Sequence, residues 1–282
     1  MNILLIQENG RHEANKNFRE CFSLKRAFEK FNHSCEIWGE GHDNFDSPPD
    51  YENYDWIINL ENYDSGWVPN LSGVKKPTKF LWSIDAHCRG EEIYENVFKE
   101  GKYDFMLHSA ACFVKKDYHI WFPNCFDDLL IKKINTPKVH DLGFCGNYVN
   151  RKPLLDYLQE RHGIHLDVFV IGQEMVKAIN SYKCHFNYNM AFGVNEAINY
   201  RNFETLGCGT LLLTSYSSEY KPLNLIDGEN CFIYNNSADM DAKIDYIKST
   251  DISKIADKGF EESSNHTYTK RVEALLSSFD RK

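Results

Sequence analysis

Charged residues at helical spacing mark one segment in the second half of the chain. Arg201 and Glu204 are three positions apart, so they share one face of the first turn of a predicted helix. That turn presents free N–H groups and the positive end of the helix dipole, which favour an anion such as a diphosphate. Arg201 would pair with the anion, and Glu204 would accept hydrogen bonds from vicinal hydroxyls, as on a ribose. A capped, salt-bridged surface helix explains the spacing equally well.

A glycine turn is a second candidate for phosphate binding. A strand-like run ends at Gly146, and Pro153 suits the first position of a helix. Gly146 would let the backbone approach a ligand, and Arg151 and Lys152 could reach its phosphates. Taken alone, a solvated basic pair is the simpler explanation.

In the first half, two polar residues follow a predicted strand. Asp85 and His87 come after an apolar run, and either could hold an acceptor hydroxyl or take its proton. A helix-capping Asp with a surface His is the competing explanation. The early loop with Gly10, Arg11 and His12 is a second place where first-half residues could meet a ligand, and a plain polar loop competes with it.

Apolar patterning shows which elements carry these residues. Short apolar runs alternate with segments in which apolar residues recur about every 3.6 positions, the pattern of strands alternating with amphipathic helices. The predicted strands of the first half are Ile3–Ile6, Cys35–Trp38, Trp56–Leu60, Lys79–Ile84 and Asp104–His108. Those of the second half are Leu142–Gly146, Leu166–Gly172, Cys184–Tyr188, Thr210–Thr214 and Cys231–Tyr234.

A polar stretch at residues 123–140 separates the two series of elements. Each series predicts a doubly wound α/β domain with a parallel sheet. We therefore expect two domains, residues 1–130 and 131–282, facing each other across a cleft. Ligands of such sheets bind at the carboxyl ends of the strands, which is where the candidate residues lie.

Composition and charge exclude several classes of protein. The 282 residues are 42% hydrophobic and 26% charged, and no apolar run approaches the roughly 18 residues of a membrane helix. The N-terminus lacks the features of a signal peptide, so a cytoplasmic location is expected. The nine cysteines form no C-x-x-C pair, which argues against a zinc site. Residues 1–130 carry a net charge of −8, which argues against a broad phosphate-binding surface there.

These segments together resemble a known family. From Leu142 to Leu276 the chain is similar to the C-terminal domain of group 1 glycosyltransferases of the GT-B fold, particularly the CgeB-like branch. The matching motifs are Phe144-Cys145-Gly146 with Arg151, Ile171-Gly172, Tyr182 to Asn187, Tyr200 to Glu204, Gly207 to Thr214 and His266 to Arg271. The first half resembles the acceptor domain in its strand–helix rhythm and at Trp82 to His87.

The resemblance implies two Rossmann-like domains and transfer of a sugar from a nucleotide-sugar donor to a hydroxyl acceptor, without a metal or other cofactor. By resemblance, Arg201 would contact the diphosphate, Glu204 the ribose and Glu196 the sugar hydroxyls. The other donor-side residues are Gly10, Arg11, His12, Gly146, Arg151 and Asn202. On the acceptor side, Asp85 is the first choice for a proton acceptor and His87 the second.

Several alternatives stay open at this point. One is a non-catalytic module that binds a nucleotide or a glycan, and another is a nucleotide-sugar epimerase of related architecture. The acceptor is a hydroxyl of a glycan, a protein or a small molecule, or else a hydroxymethylated DNA base, as in phage enzymes of this fold. A DNA enzyme would need basic side chains gathered at the cleft. The first half offers Arg11, Lys16, Arg19, Lys25, Arg26, Lys75, Lys76, Arg89, Lys115 and Lys116.

Overall fold

The computed structural model describes residues 1–10, 13–62, 66–189 and 197–279. In these ranges the chain forms two compact units. Unit 1 contains Met1–Pro123 together with the C-terminal segment from Tyr268, and unit 2 contains the described chain from Asn124 to Thr267. No helix in the described ranges is long and apolar enough to span a membrane.

Unit 1 is built on a six-stranded sheet in which all pairings are parallel. Its strands are β1 (Asn2–Ile6), β2 (Ser34–Trp38), β3 (Trp56–Leu60), β4 (Thr78–Ser83), β5 (Phe105–His108) and β6 (His119–Trp121). Their order across the sheet is β2-β1-β3-β4-β5-β6. The helices are α1 (Glu20–Lys30), α2 (Ala86–Arg89), α3 (Glu91–Gly101) and, from the end of the chain, α9 (Tyr268–Phe279).

Helices cover this sheet, which explains its continuous apolar strands. β1 and β3 are buried along almost their whole length, as is typical of parallel strands covered on both faces. α1 buries Leu24 and Phe28 at helical spacing. α9 adds Phe279, whose ring meets the rings of Trp56 and Phe80 edge-on at centroid distances of 5.3 and 5.4 Å. The last helix therefore completes the core of unit 1.

Unit 2 has a five-stranded sheet, also parallel throughout. Its strands are β7 (His140–Gly146), β8 (His165–Val168), β9 (Tyr182–Asn187), β10 (Leu211–Ser215) and β11 (Phe232–Tyr234), in the order β11-β10-β9-β7-β8. Its helices are α4 (Lys152–His162), α5 (Gly172–Ser181), α6 (Tyr200–Gly207), α7 (Ser237–Ser249) and α8 (Ser253–Ser263). Apolar residues of α4 and α7 pack on the sheet in one buried cluster.

The strand order defines a switch point in each unit. β1 lies between β2 and β3, and β7 lies between β8 and β9, so the chain adds a strand first on one side of each central strand and then on the other. Ligands of such sheets bind beyond the carboxyl ends of the strands at this point. In unit 2 those ends are Gly146 and Asn187.

The prediction of two doubly wound α/β domains is confirmed, although some element boundaries differ. The sequence analysis missed β6, α2, α3 and α5, and the run Leu166–Gly172 is not one strand. β8 ends at Val168, Phe169 has a φ of 59°, and Gly172 with a φ of 61° begins α5. A short apolar run carries no periodicity that separates a strand from the turn after it.

Candidate functional site

α6 carries the predicted charged pair at the switch point of unit 2. Arg201 and Glu204 lie on its first turns, after Asn199 at the N-cap position. Arg201 Nη1 is 2.6 Å from Glu204 Oε2, and the side chains are 21% and 16% exposed. The two charges therefore form a largely buried ion pair. A guanidinium has five N–H donors, so this contact leaves Arg201 with further binding capacity.

The same pair lies close to the end of β7. Burial raises the pKa of the Cys145 thiol to about 11, and the charges of Arg201 and Glu204 act on this thiol in opposite directions. Cys145 precedes Gly146, the last residue of β7. The structure thus brings three predicted residues, Gly146, Arg201 and Glu204, to one edge of the sheet.

A buried chain of hydrogen bonds holds α6 against this edge. The N–H of Cys145 donates to His185 Nε2 at 3.0 Å, and His185 Nδ1 lies 2.7 Å from Thr205 Oγ1. The Thr205 hydroxyl donates to the Arg201 carbonyl at 2.6 Å. Burial lowers the pKa of His185 well below its ordinary value, so the ring is neutral, with its proton on Nδ1. The sequence analysis gave His185 and Thr205 no role, because only the fold joins these two positions.

Arg151 connects the loops that follow β7 and β9. Its Nη1 donates to the carbonyl of Asn147 at 3.0 Å, and its Nη2 donates to the carbonyl of Tyr188 at 3.3 Å. These backbone contacts orient the guanidinium at the switch point. Arg151 is therefore a positioned cation, and the explanation as a solvated basic pair does not describe it.

Asn202 lies below the surface where a ligand would bind. Its side chain is fully buried, donates to Asn189 Oδ1 at 2.8 Å and accepts from the Tyr220 hydroxyl at 3.0 Å. Asn189 in turn donates to Thr214 Oγ1 at 3.3 Å, near the end of β10. Asn202 thus ties α6 to the ends of β9 and β10 and presents no exposed atom to a ligand.

A cavity of about 610 Å³ opens at the carboxyl ends of β9, β10 and β11, beside the first turns of α4 and α7. Amides, hydroxyls and tyrosine rings form most of its wall, Arg151 is its cation, and the described wall contains no carboxylate. The lining residues are Asn150, Arg151, Pro153, Leu154, Tyr188, Asn189, Ser215, Tyr216, Tyr234, Asn235, Asn236, Ser237 and Met240. The volume is within the roughly 300–1,000 Å³ of small-molecule sites, and the wall suits a polar neutral or anionic ligand.

In unit 1, Asp85 and His87 lie just beyond the carboxyl end of β4. Asp85 occupies the N-cap position of α2, but its side chain makes no capping hydrogen bond. His87 is only 9% exposed, and burial lowers its pKa against the opposing effect of Asp85. The pair is therefore not a capping Asp beside a surface His. Its carboxylate and imidazole are an acid–base combination that could handle a hydroxyl proton.

Glu61 is a further acid at this edge, and the sequence analysis missed it. It follows β3, and its Oε2 accepts the N–H groups of Ile84 at 2.7 Å and Asp85 at 3.1 Å. Burial, and then the charge of Asp85, raise the pKa of Glu61 to about 7, although a hydrogen bond from Tyr94 opposes the shift. No local pattern singles out Glu61, because its partners belong to the next strand and the helix beyond it.

Three predicted residues, Arg11, His12 and Glu196, lie outside the described residues. Gly10 is described; a Cβ at this position would lie 3.3 Å from Cγ of Arg19, so a larger residue would press on that side chain. In the part of the chain that the structure describes, no group of three or more His, Cys, Asp or Glu side chains is placed to hold a metal.

Comparison with known proteins gives a family match and a set of similar folds. The family model described as glycosyl transferase-like matches residues 129–277, which is more than half of the chain. No curated protein matches the sequence.

Three solved structures illustrate the fold. HepE from Anabaena, in complex with UDP and glucose, is 10% identical with a TM-score of 0.65, and the match covers 99% of this chain and 100% of HepE. AviGT4, a glycosyltransferase involved in avilamycin A biosynthesis, is 9% identical with a TM-score of 0.64 over 99% and 97% of the two chains. An α-glucosyltransferase in complex with UDP and a 13-mer DNA containing an HMU base is 12% identical with a TM-score of 0.62 over 99% and 98%. At these identities the likeness shows the fold, which is of the GT-B type.

Proposed function

Because the chain belongs to the glycosyl transferase-like family, we propose that unit 2 binds the nucleotide-sugar donor at the carboxyl edge of β7 and β9. The observation that carries this proposal is the Arg201–Glu204 pair on the first turns of α6, beside the end of β7. A diphosphate there would meet a guanidinium and the positive end of the α6 dipole. Glu204 would then exchange its contact with Arg201 for the hydroxyls of a ribose.

Sugar transfer from a nucleotide sugar requires the donor site to stabilise the departing diphosphate. Negative charge grows on the leaving phosphate oxygen, and donors that are already in place stabilise it without reorganising. Arg201 and the N-terminus of α6 supply those donors, and the bond from Thr205 to the Arg201 carbonyl keeps this turn in place. Arg151, oriented by two carbonyls, adds charge at the adjoining loop.

The test of the donor site is nucleotide binding by Arg201→Ala. A charge-assisted hydrogen bond contributes about 1.5–3 kcal/mol, so affinity should fall about ten-fold or more in calorimetry with UDP, GDP and ADP. Arg161→Ala is the matched control, because Arg161 lies in the last turn of α4 and pairs with Asp241 at 3.2 Å. If Arg201→Ala binds each nucleotide as tightly as the wild type does, the proposed site is wrong.

We propose a glycan, protein or small-molecule hydroxyl as the acceptor, handled by unit 1 with Asp85 as the group nearest the proton. The charges of unit 1 support this class over a hydroxymethylated DNA base. Close ion pairs of 2.6 Å join Lys16 to Glu13, Lys25 to Glu29, Lys115 to Glu91 and Lys116 to Glu95. DNA phosphates would have to compete with these carboxylates for their lysines. Transfer from a nucleotide sugar to duplex DNA containing hydroxymethylated bases would overturn this choice.

Incubation with UDP-glucose and no acceptor separates the remaining alternatives. A glycosyltransferase hydrolyses the donor slowly, an epimerase converts it to another nucleotide sugar, and a non-catalytic module leaves it unchanged. NMR spectra of the mixture distinguish the three outcomes. The same assay in EDTA tests our proposal that departure of the diphosphate needs no metal, since donor hydrolysis that EDTA abolishes and Mg²⁺ or Mn²⁺ restores would contradict it.

Two finer assignments complete the proposal. We place the chain in the CgeB-like branch, supported by Phe144-Cys145-Gly146 with Arg151 and by Tyr200 to Glu204. A cytoplasmic setting is supported by the nine cysteines, all of which are thiols and seven of which are buried.

A further inference from the structure

The Glu61 carboxylate gathers donors from two directions. Its Oε2 accepts two consecutive backbone N–H groups, those of Ile84 and Asp85. Its Oε1 accepts the Tyr94 hydroxyl of α3 and lies 3.6 Å from Arg89 Nε of α2. With a side chain only 19% exposed, Glu61 is largely buried and joins the end of β4 to α2 and α3.

The backbone of Glu61 is strained as well. Its φ is 58°, in the left-handed region that a residue other than glycine rarely adopts and that costs about 1–3 kcal/mol. Its own N–H donates to the Trp82 carbonyl at 2.9 Å, which fixes the turn from the β4 side. Glycine would relieve this strain but would lose the carboxylate. Strain of this kind is concentrated at functional sites, where the surrounding structure maintains it.

We infer that Glu61 is a positioning residue for sugar transfer: its carboxylate fixes the Ile84–Asp85 backbone and so orients the Asp85 side chain toward the acceptor hydroxyl. The inference rests on the proposed function, because it takes Asp85 as the acceptor-side group. The Asp85 side chain makes no hydrogen bond that caps α2, so its carboxylate is available for this role. Displacing a reacting group by about 1 Å can lower turnover by about 10²-fold.

The test compares Glu61→Gln with Glu52→Gln. Glu52 also accepts two consecutive backbone N–H groups, those of Lys75 and Lys76 ahead of β4, at 3.0 Å to Oε1 and 2.9 Å to Oε2. Glu61→Gln should lower kcat for transfer by about 10- to 100-fold, with little change in nucleotide affinity or donor hydrolysis. Glu52→Gln should keep a normal kcat.

The pH profile separates positioning from simple stability. The titratable groups facing Glu61 in the described structure are Asp85, Arg89 and Tyr94, with His87 next to Asp85. Glu61 must be ionised to accept both N–H groups fully, so wild-type kcat should fall as the pH drops through about 7. Glutamine cannot titrate, so this limb of the profile should disappear in Glu61→Gln.

Each outcome bears on a separate claim. Normal kcat in folded Glu61→Gln, or an unchanged acid limb, overturns the inference while leaving the donor site intact. A wild-type protein that binds no nucleoside diphosphate overturns the proposed function instead. If Glu61→Gln fails to fold, Tyr94→Phe decides, because it removes the hydroxyl that holds Oε1 and helps to keep Glu61 ionised, so the carboxylate that accepts the two N–H groups is no longer fixed. A several-fold loss of kcat in Tyr94→Phe supports the inference, and a normal kcat contradicts it.

Discussion

The carboxyl edges of the two units are built from different chemistry. In unit 1 the edge carries half-buried and buried ionisable groups, with Glu61 bonded to the turn that carries Asp85 and His87. In unit 2 neutral amides and hydroxyls centred on Asn189 and Asn202 hold the edge, and the charges lie on α6 and at Arg151. A buried acid changes its charge near neutral pH, whereas an amide network does not. The comparison predicts a pH-sensitive scaffold in unit 1 and a pH-insensitive one in unit 2.

The largest effect should come from the neutral network. Asn202→Ala removes the hydrogen bonds to Asn189 and Tyr220 and leaves a small cavity, so the free energy of unfolding should fall by about 2–4 kcal/mol. Urea unfolding at pH 5 and at pH 8 should show the same loss. Gln159→Ala, at an exposed position of α4, should change stability by no more than about 0.5 kcal/mol. A loss of stability that grows strongly with pH would contradict the prediction that the scaffold of unit 2 is insensitive to pH.

The second effect is the pH dependence that Glu61 adds to stability. Its pKa is raised from 4.5 to about 7 in the folded protein, so folding favours the protonated carboxyl. The contribution of the protonated Glu61 carboxyl to the free energy of unfolding is complete below pH 4.5 and is lost as the pH rises through about 7. The stability of the wild type relative to Glu61→Gln should therefore fall by about 1–3 kcal/mol between pH 5 and 8. Unfolding midpoints measured across this range would show the trend, and a rise in relative stability would contradict it.

The smallest effect concerns the hydrogen-bond chain that runs from the end of β7 through His185 and Thr205 to α6. Thr205→Val keeps the shape of the side chain but leaves His185 Nδ1 without its acceptor and frees the Arg201 carbonyl. We expect a loss of about 1–2 kcal/mol in stability and a few-fold loss of nucleotide affinity. Thr250→Val, at the exposed end of α7, is the control. A stability loss with unchanged affinity would separate the chain from the donor site.

The local sequence pattern was sufficient to predict elements and contacts whose residues are close together in sequence. β3 spans Trp56–Leu60 as predicted, because an unbroken apolar run bounded by polar residues is typical of a covered parallel strand. Arg201 and Glu204 meet on α6 because three positions make nearly one helical turn. α9 packs with unit 1 although it follows unit 2 in sequence; the resemblance to the family indicates this return to the first domain, whereas no local pattern does.

The chemistry-bearing residue types and their local spacing are properties of the sequence by itself, because helix and strand periodicity depend on near neighbours. These properties determined the two parallel-sheet units and the charged face of α6. Only the tertiary structure decided that Asn202 is buried and bonded to Asn189. It also decided that His185 and Thr205 support Arg201, and that Glu61 accepts the N–H of Asp85. Those contacts join residues 13 to 40 positions apart, and the pairing of strands and helices alone brings such residues within hydrogen-bond distance.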